Sequence, residues 1–280
     1  MDKAMQARKA ERLKKLHGGG RILVLPNAWD VASARIVEEI GFSAVATSSA
    51  GVAASLGYPD GQHVSRKEML EVVARVARAV QLPVTADLEA GYGTTPADMA
   101  ETARGLIEAG GVGLNLEDVT GEDESSQVDL ALQTEKIRAL REASASAGVP
   151  LVINARTDIY LMPIGPEETR FERTVDRLRA YARAGADCVF VPAVKDADTI
   201  ARLVRAVEAP LNVLLLPGAP GIAALEHLGV ARASIGSGLM RAALGAARKI
   251  ALAMYERRDD ESLFRDAVPY AEVNRLLARR

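Results

Sequence analysis

Eight times along this chain a short apolar run, rich in branched residues, gives way to a longer amphipathic stretch, with Gly or Pro at the joins. The strand-like runs fall at 22–26, 44–48, 84–88, 113–117, 151–156, 188–192, 211–216 and 233–236. The helix-like stretches fall at 31–40, 66–80, 97–109, 132–146, 168–184, 198–207, 222–228 and 239–255. Pro83, Pro150 and Pro210 precede the third, fifth and seventh strands, and Gly41, Gly110, Gly185 and Gly229 stand where a left-handed C-cap would end a helix. Alternation of this kind demands parallel strands joined by right-handed crossovers. Eight units close into a (β/α)8 barrel of the TIM type, which needs about 250 residues. The 280 residues fit one such domain over 1–280, with an N-terminal helix in 1–20 and a helical region over 239–280. The alternative, an open doubly wound sheet, would carry G-x-G-x-x-G after its first strand; here that strand leads into Asn27-Ala28-Trp29-Asp30.

Composition narrows the partners. Aromatics are only 4% of the chain, so Ala, Val, Leu and Ile must fill the core. Lys and Arg number 35 against 37 Asp and Glu, and no basic run is interleaved with aromatics, which excludes nucleic acid as an expected partner. The longest apolar runs are far too short to span a bilayer. The N-terminus, MDKAMQARKAERLKKL, is charged and lacks the apolar segment of a secretory signal. Cys188 stands alone, so no intrachain disulfide forms, and a reducing cytoplasm is the expected setting.

Barrel enzymes place their chemistry at the C-terminal ends of strands. Here those ends carry Asp87 and Glu89, Asn115 and Glu117, and Asn154, Arg156 and Asp158, each set spaced by two residues and so sharing a face. Facing inward, they would gather four carboxylates and one guanidinium at the barrel mouth. Unpaired, such charges are costly to bury. A hard divalent cation, Mg2+ with Mn2+ as a substitute, relieves the repulsion and keeps several positions for water and substrate oxygens. Arg156 then serves as a fork for a carboxylate or phosphonate. Asp118 and Asp158 begin loops, where they are expected to bind backbone N–H groups. Trp29 reads as packing over the rim, Cys188 as core, Lys195 as solvated, and His17, His63 and His227 as surface or loop residues. Gly91-Tyr92-Gly93 suits a close approach to a small ligand, and 234–238 suits a tight strand-to-helix turn more than a phosphate loop.

Taken in order, LPNAWD, LGYPDG, TADLEAGYG, LEDVTG and INARTD, followed by PLNVLLLPGAP and ASIGSGLMRAAL, resemble the isocitrate lyase/phosphoenolpyruvate mutase superfamily. That resemblance implies a barrel whose last helix, here 239–255, is exchanged with a partner subunit in a dimer or tetramer. It implies a small carboxylate substrate, Mg2+ and an enolate. It matches Asp87 to the direct metal ligand, and Asp60, Glu89 and Glu117 to groups holding metal-bound water. Arg156 matches the enolate-stabilising arginine, which with Asp60 and Glu117 makes the expected catalytic set. Ser48, Ser49, Ala50 and Gly51 match a segment donating backbone N–H groups to the substrate carboxylate, and Asn212 a pocket position.

The departures set the expected activity. Lyase members carry Lys-Lys-Cys-Gly-His after the fourth strand, where this chain has Thr120-Gly121-Glu122-Asp123-Glu124-Ser125-Ser126-Gln127. The Lys and Asn of the phosphonate branches are also missing there, and 191–194, Val-Pro-Ala-Val, lacks the lyases' Glu. What remains suits a Mg2+-dependent lyase that cleaves a C–C bond in a small 2-oxo or 2-hydroxy acid, as an oxaloacetate decarboxylase does. The alternatives are a methylisocitrate or isocitrate lyase with another acid such as Glu122, a phosphonopyruvate hydrolase or phosphoenolpyruvate mutase, and a non-catalytic 2-oxo acid binding protein.

Overall fold

The computed structural model describes residues 2–120, 127–162 and 164–278. Its strands are β1 (Leu23–Leu25), β2 (Asn27–Ala28), β3 (Val45–Thr47), β4 (Val84–Asp87), β5 (Gly113–Leu116), β6 (Val152–Arg156), β7 (Cys188–Val191), β8 (Leu211–Leu214) and β9 (Arg232–Ser234). Around them run helices α1 (Lys3–Leu16), α2 (Val31–Ile40), α3 (Ser49–Leu56), α4 (Arg66–Ala79), α5 (Pro96–Glu108), α6 (Leu130–Ser146), α7 (Arg170–Ala184), α8 (Ala197–Ala206), α9 (Ile222–His227), α10 (Gly238–Arg257), α11 (Glu261–Phe264) and α12 (Tyr270–Ala278).

All nine strands are parallel and follow one another round a nearly closed barrel. The first expected strand is split in two. Pro26 has no N–H to give the ladder, so β1 pairs with β9 and β2 with β3, while the Pro26 carbonyl still accepts from Ala46 N–H at 2.9 Å. Asn27 therefore belongs to the sheet rather than to a loop. The branched aliphatics expected of the core are buried there, among them Leu25, Leu114, Ile153, Val189 and Val213.

Helix ends follow local chemistry. Asp30, Ser65 and Thr95 close capping boxes on α2, α4 and α5. Gly41 and Gly185 end α2 and α7 at φ 99° and 111°, a conformation other residues resist. One helix was not foreseen: Ser48 caps α3 by accepting from Gly51 N–H at 3.1 Å, so the segment after the second strand turns helical at once.

The end of the barrel opposite the strand C-termini is plugged by α1. Leu13 reaches so close to Gly113 that a β-carbon there would lie 3.0 Å from it, and Gln6 donates to the Ile107 and Gly111 carbonyls. The strand C-termini, where barrel enzymes place their chemistry, lie at the other end. At the C-terminus, α10 buries just Met240 and Ala253, and α12 returns to α2 through an Arg275–Glu39 ion pair of 2.8 Å. Among the described residues no helix is long and apolar enough to cross a membrane.

Candidate active site

The strands β4, β5 and β6 lie in register, so Asp87, Asn115 and Asn154 form one row across the barrel interior. Their side chains are chained together. Asn154 Nδ2 donates to Asn115 Oδ1 at 2.8 Å, and Asn115 Nδ2 donates to Asp87 Oδ1 at 3.2 Å. The buried Arg232 guanidinium also donates to Asn115 Oδ1, at 3.3 Å. With two donors on its oxygen, the Asn115 amide has to aim its nitrogen at Asp87. The other Asp87 oxygen accepts from the Ser49 hydroxyl at 2.9 Å and the Ser49 N–H at 3.2 Å. Asp87 thus sits against the first turn of α3, the positive end of its dipole.

Above this row a cavity of about 160 Å3 opens at the strand C-termini, lined by Ser49, Asp60, Glu89, Glu117, Arg156 and Asp158 among others. Arg156 is locked in it. Its Nη1 donates to Glu117 at 2.5 Å, its Nε to Asp158 at 2.6 Å, and its guanidinium lies 5.7 Å from the centre of the Phe190 ring. No protein acceptor holds Nη2 among the described residues.

The electrostatics are those of crowded carboxylates. Burial, abetted by Asp87 and Asp60, pushes Glu89 up to about 7. Burial also raises Glu117 well above the usual carboxylate range against the pull of Arg156, and it raises Asp158 in the same way. Asp60, on the exposed 57–63 segment, is raised by desolvation and by Asp87. Burial pulls down on the Arg156 charge, but Glu117 and Asp158 more than compensate. The backbone is strained at the same place: Gln62, Glu89 and Tyr92 have φ of 63°, 51° and 57°. The turn is braced by Lys136, wholly buried and donating to the Ala90 carbonyl at 3.0 Å, and by Thr102, donating to Gly91 O at 2.7 Å.

A divalent cation fits this donor set. Among the described residues Glu89 Oε2 is buried with no hydrogen-bond partner, and the clustered acids have only Arg156 as a cation against them at the cavity wall. Among the described residues no three His, Cys, Asp or Glu side chains are grouped so as to hold a metal ion in a ready-made cage of their own. Mg2+ seldom takes one, since it keeps several waters and substrate oxygens.

Of the expected site residues, Ser49, Asp60, Glu89, Glu117 and Arg156 share the cavity, and Asp87 lies directly behind Ser49. Ser48, Ala50, Gly51 and Asn212 are not among its lining residues. Ser48 N–H donates to Ala28 O, Ser49 N–H to Asp87 and Gly51 N–H to Ser48 Oγ, so three of the four expected backbone donors are already engaged. Asn212 is wholly buried and exchanges hydrogen bonds with Ser234 Oγ at 3.0 and 3.2 Å. Asp118 is structural, as its loop position implies. It accepts from Thr157, Asp158 N–H, Arg177 and Tyr181 at 2.8–3.1 Å. Asp158 departs from that expectation, because its carboxylate orients Arg156 in the cavity; its spacing of two from Arg156 was the available signal. Cys188 is wholly buried, and burial pushes its thiol up to about 12. Lys195 is exposed, whereas His17 is buried. The 234–238 turn spends the Ile235 and Gly236 N–H groups on Asn27 Oδ1, both at 2.9 Å. The region of the family's lyase signature, 121–126, lies outside the described residues.

Comparison with known proteins agrees with this architecture. An uncharacterised protein of Mycobacterium tuberculosis H37Rv is 40% identical over 92% of this chain and 93% of its own. The 2-methylisocitrate lyase of Bacillus subtilis is 30% identical over 72% of this chain and 65% of its own, and the oxaloacetate decarboxylase of Pseudomonas fluorescens 30% identical over 77% and 76%. A Burkholderia cenocepacia crystal structure, described as that of a lyase/mutase, superimposes with a TM-score of 0.91 at 39% identity, covering 98% of this chain and 97% of the other. The family model for phosphoenolpyruvate phosphomutase matches residues 13–255. The chain therefore belongs to the isocitrate lyase/phosphoenolpyruvate mutase superfamily of carbon–carbon lyases and mutases.

Proposed function

We propose that this enzyme is a Mg2+-dependent lyase that cleaves a C–C bond of a small 2-oxo dicarboxylate through an enolate, as an oxaloacetate decarboxylase does. The observation that carries this is Arg156, fixed on two sides by Glu117 and Asp158 with Nη2 left over, in a cavity whose other charged lining residues, among those described, are all acids. Asp87 would hold the metal directly, with Glu89, Asp60 and Glu117 holding its water ligands. When bound, the cation supplies a Lewis acid that polarises the 2-oxo group.

The chain's own residues do the rest. The Ser49 hydroxyl and N–H hold the Asp87 carboxylate in place. Arg156 meets the growing negative charge with a guanidinium that needs no reorganisation. The C3–C4 bond breaks, C4 leaves as CO2, and its electron pair moves into the C2 carbonyl as an enolate. A proton from water at C3 completes the 2-oxo acid product, so the absent Lys-Lys-Cys-Gly-His acid is not required. The relative that is an oxaloacetate decarboxylase supports this choice over the methylisocitrate lyase relative, whose family signature this chain lacks.

The enzyme is also proposed to work as an oligomer in which α10 packs on a second copy. Its side chains Leu244 and Tyr255 are 57% and 86% exposed, and Phe264 and Tyr270 beyond it 70% and 85%.

Activity is tested by pyruvate release from oxaloacetate with Mg2+ and with EDTA, after subtracting the protein-free rate. Metal-dependent turnover that falls at least about 100-fold in Arg156→Lys is expected. Turnover no faster than the protein-free rate would remove the assignment.

A further inference from the structure

The cavity lining is of two kinds. Beside the carboxylates, Ser49 and Arg156 it includes the apolar side chains of Val119, Leu161 and Met162. Val119 and Met162 belong to a separate apolar cluster with the buried Ile159 and Ile164, next to the cavity and apart from the barrel core. Leu161, which also lines the cavity, is 45% exposed.

Charge sets the second condition. Arg156 is the only cation lining the cavity among the described residues, against Asp60, Glu89, Glu117 and Asp158. Residues 118–134 contain no Lys, Arg or His, so the loop after β5 adds none. His63 is exposed and outside the lining. With a divalent cation in place, the site offers two positive groups, one for each end of a dicarboxylate. A third carboxylate would find no further cation in the described lining and would lie against acids or apolar side chains.

Resting on the lyase assignment above, we infer that the substrate is a 2-oxo dicarboxylate carrying an alkyl group at C3, which lies against Val119, Leu161 and Met162, and that tricarboxylates are rejected. The bond-breaking step is unchanged: C4 leaves as CO2 and C3 takes a proton, so the product is a 2-oxo acid lengthened by the alkyl group.

The matched test compares C3 substituents of equal reach. Turnover is measured with Mg2+ for oxaloacetate, its 3-ethyl derivative and its 3-carboxymethyl derivative. The 3-ethyl compound should exceed oxaloacetate in kcat/KM by about 10-fold, as alkyl burial in an apolar pocket gives. The 3-carboxymethyl compound should fall at least about 100-fold below the 3-ethyl one, the cost of an unpaired buried charge. Binding is read in parallel by calorimetry with stable 2-hydroxy counterparts, 3-ethylmalate against isocitrate, in Mg2+. Leu161→Arg and Met162→Arg should each narrow or invert that preference. Should no 2-oxo acid turn over while 3-ethylmalate still binds better than isocitrate, the decarboxylase assignment fails and the substrate class stands. Equal or tighter binding of isocitrate, equal turnover of the carboxymethyl compound, or binding of neither ligand would each overturn the class.

Discussion

At the scale of single residues, the site is a set of charges that are expensive alone. Glu89 shows the cost most directly, with one buried oxygen unpartnered and its carboxyl raised from 4.5 to about 7. Folding therefore favours the neutral acid. Without metal, that contribution to stability is fully present below pH 4.5 and is lost as pH rises through 7. In EDTA, Glu89→Gln should stabilise the protein by about 1–3 kcal/mol at pH 8 and by almost nothing at pH 4.5, measured by chemical denaturation. An equal effect at both pH values would show that charge is not what the substitution removes. Much of this was legible beforehand, because residues two apart on a strand share a face, and Asp87, Glu117 and Arg156 obeyed that rule. Asp158 was harder. A loop-start aspartate ordinarily binds backbone, and only the folded chain shows its carboxylate turned back onto Arg156. Arg232 was invisible in sequence, since a buried arginine bonded to Asn115 and Ser234, with no carboxylate in contact among the described residues, violates the usual pairing of buried charge.

At the scale of elements, the periodic ones were readable and the irregular ones were not. Strand and helix positions followed from apolar spacing and from Gly and Pro. The split at Pro26 and the appearance of α3 depended on local hydrogen bonds, one missing N–H in the first case and one Ser48 cap in the second. Neither leaves a periodic trace. The helix α10 was readable as a helix from its spacing, whereas its sparse burial was hinted at only by the resemblance, which implies an exchanged last helix. A helix of 20 residues that buries only two calls for a covering surface. Light scattering should give a mass of at least two chains, and Leu252→Asp with Tyr255→Asp should shift it towards one. A wild-type protein that is monomeric at micromolar concentration would contradict the assembly.

At the scale of the whole molecule, the barrel separates stability from chemistry. The α1 end is closed by Leu13 and Gln6, and the other end gathers groups from β3 through β6 that no single element could bring together. The family membership rests on the full length of that arrangement, while the choice of reaction rests on a handful of strand-end residues and on what the loop after β5 lacks. The central claim is that Asp87, with Glu89, Asp60 and Glu117 near it, holds a divalent cation. It is tested most directly by Mn2+ titration followed by electron paramagnetic resonance, for wild type and Asp87→Ala, with circular dichroism as the control for folding. The prediction is one ion per chain, and affinity about 100-fold or more weaker in a folded Asp87→Ala variant. Unchanged affinity in the variant, or no Mn2+ binding by the wild type, would contradict the account.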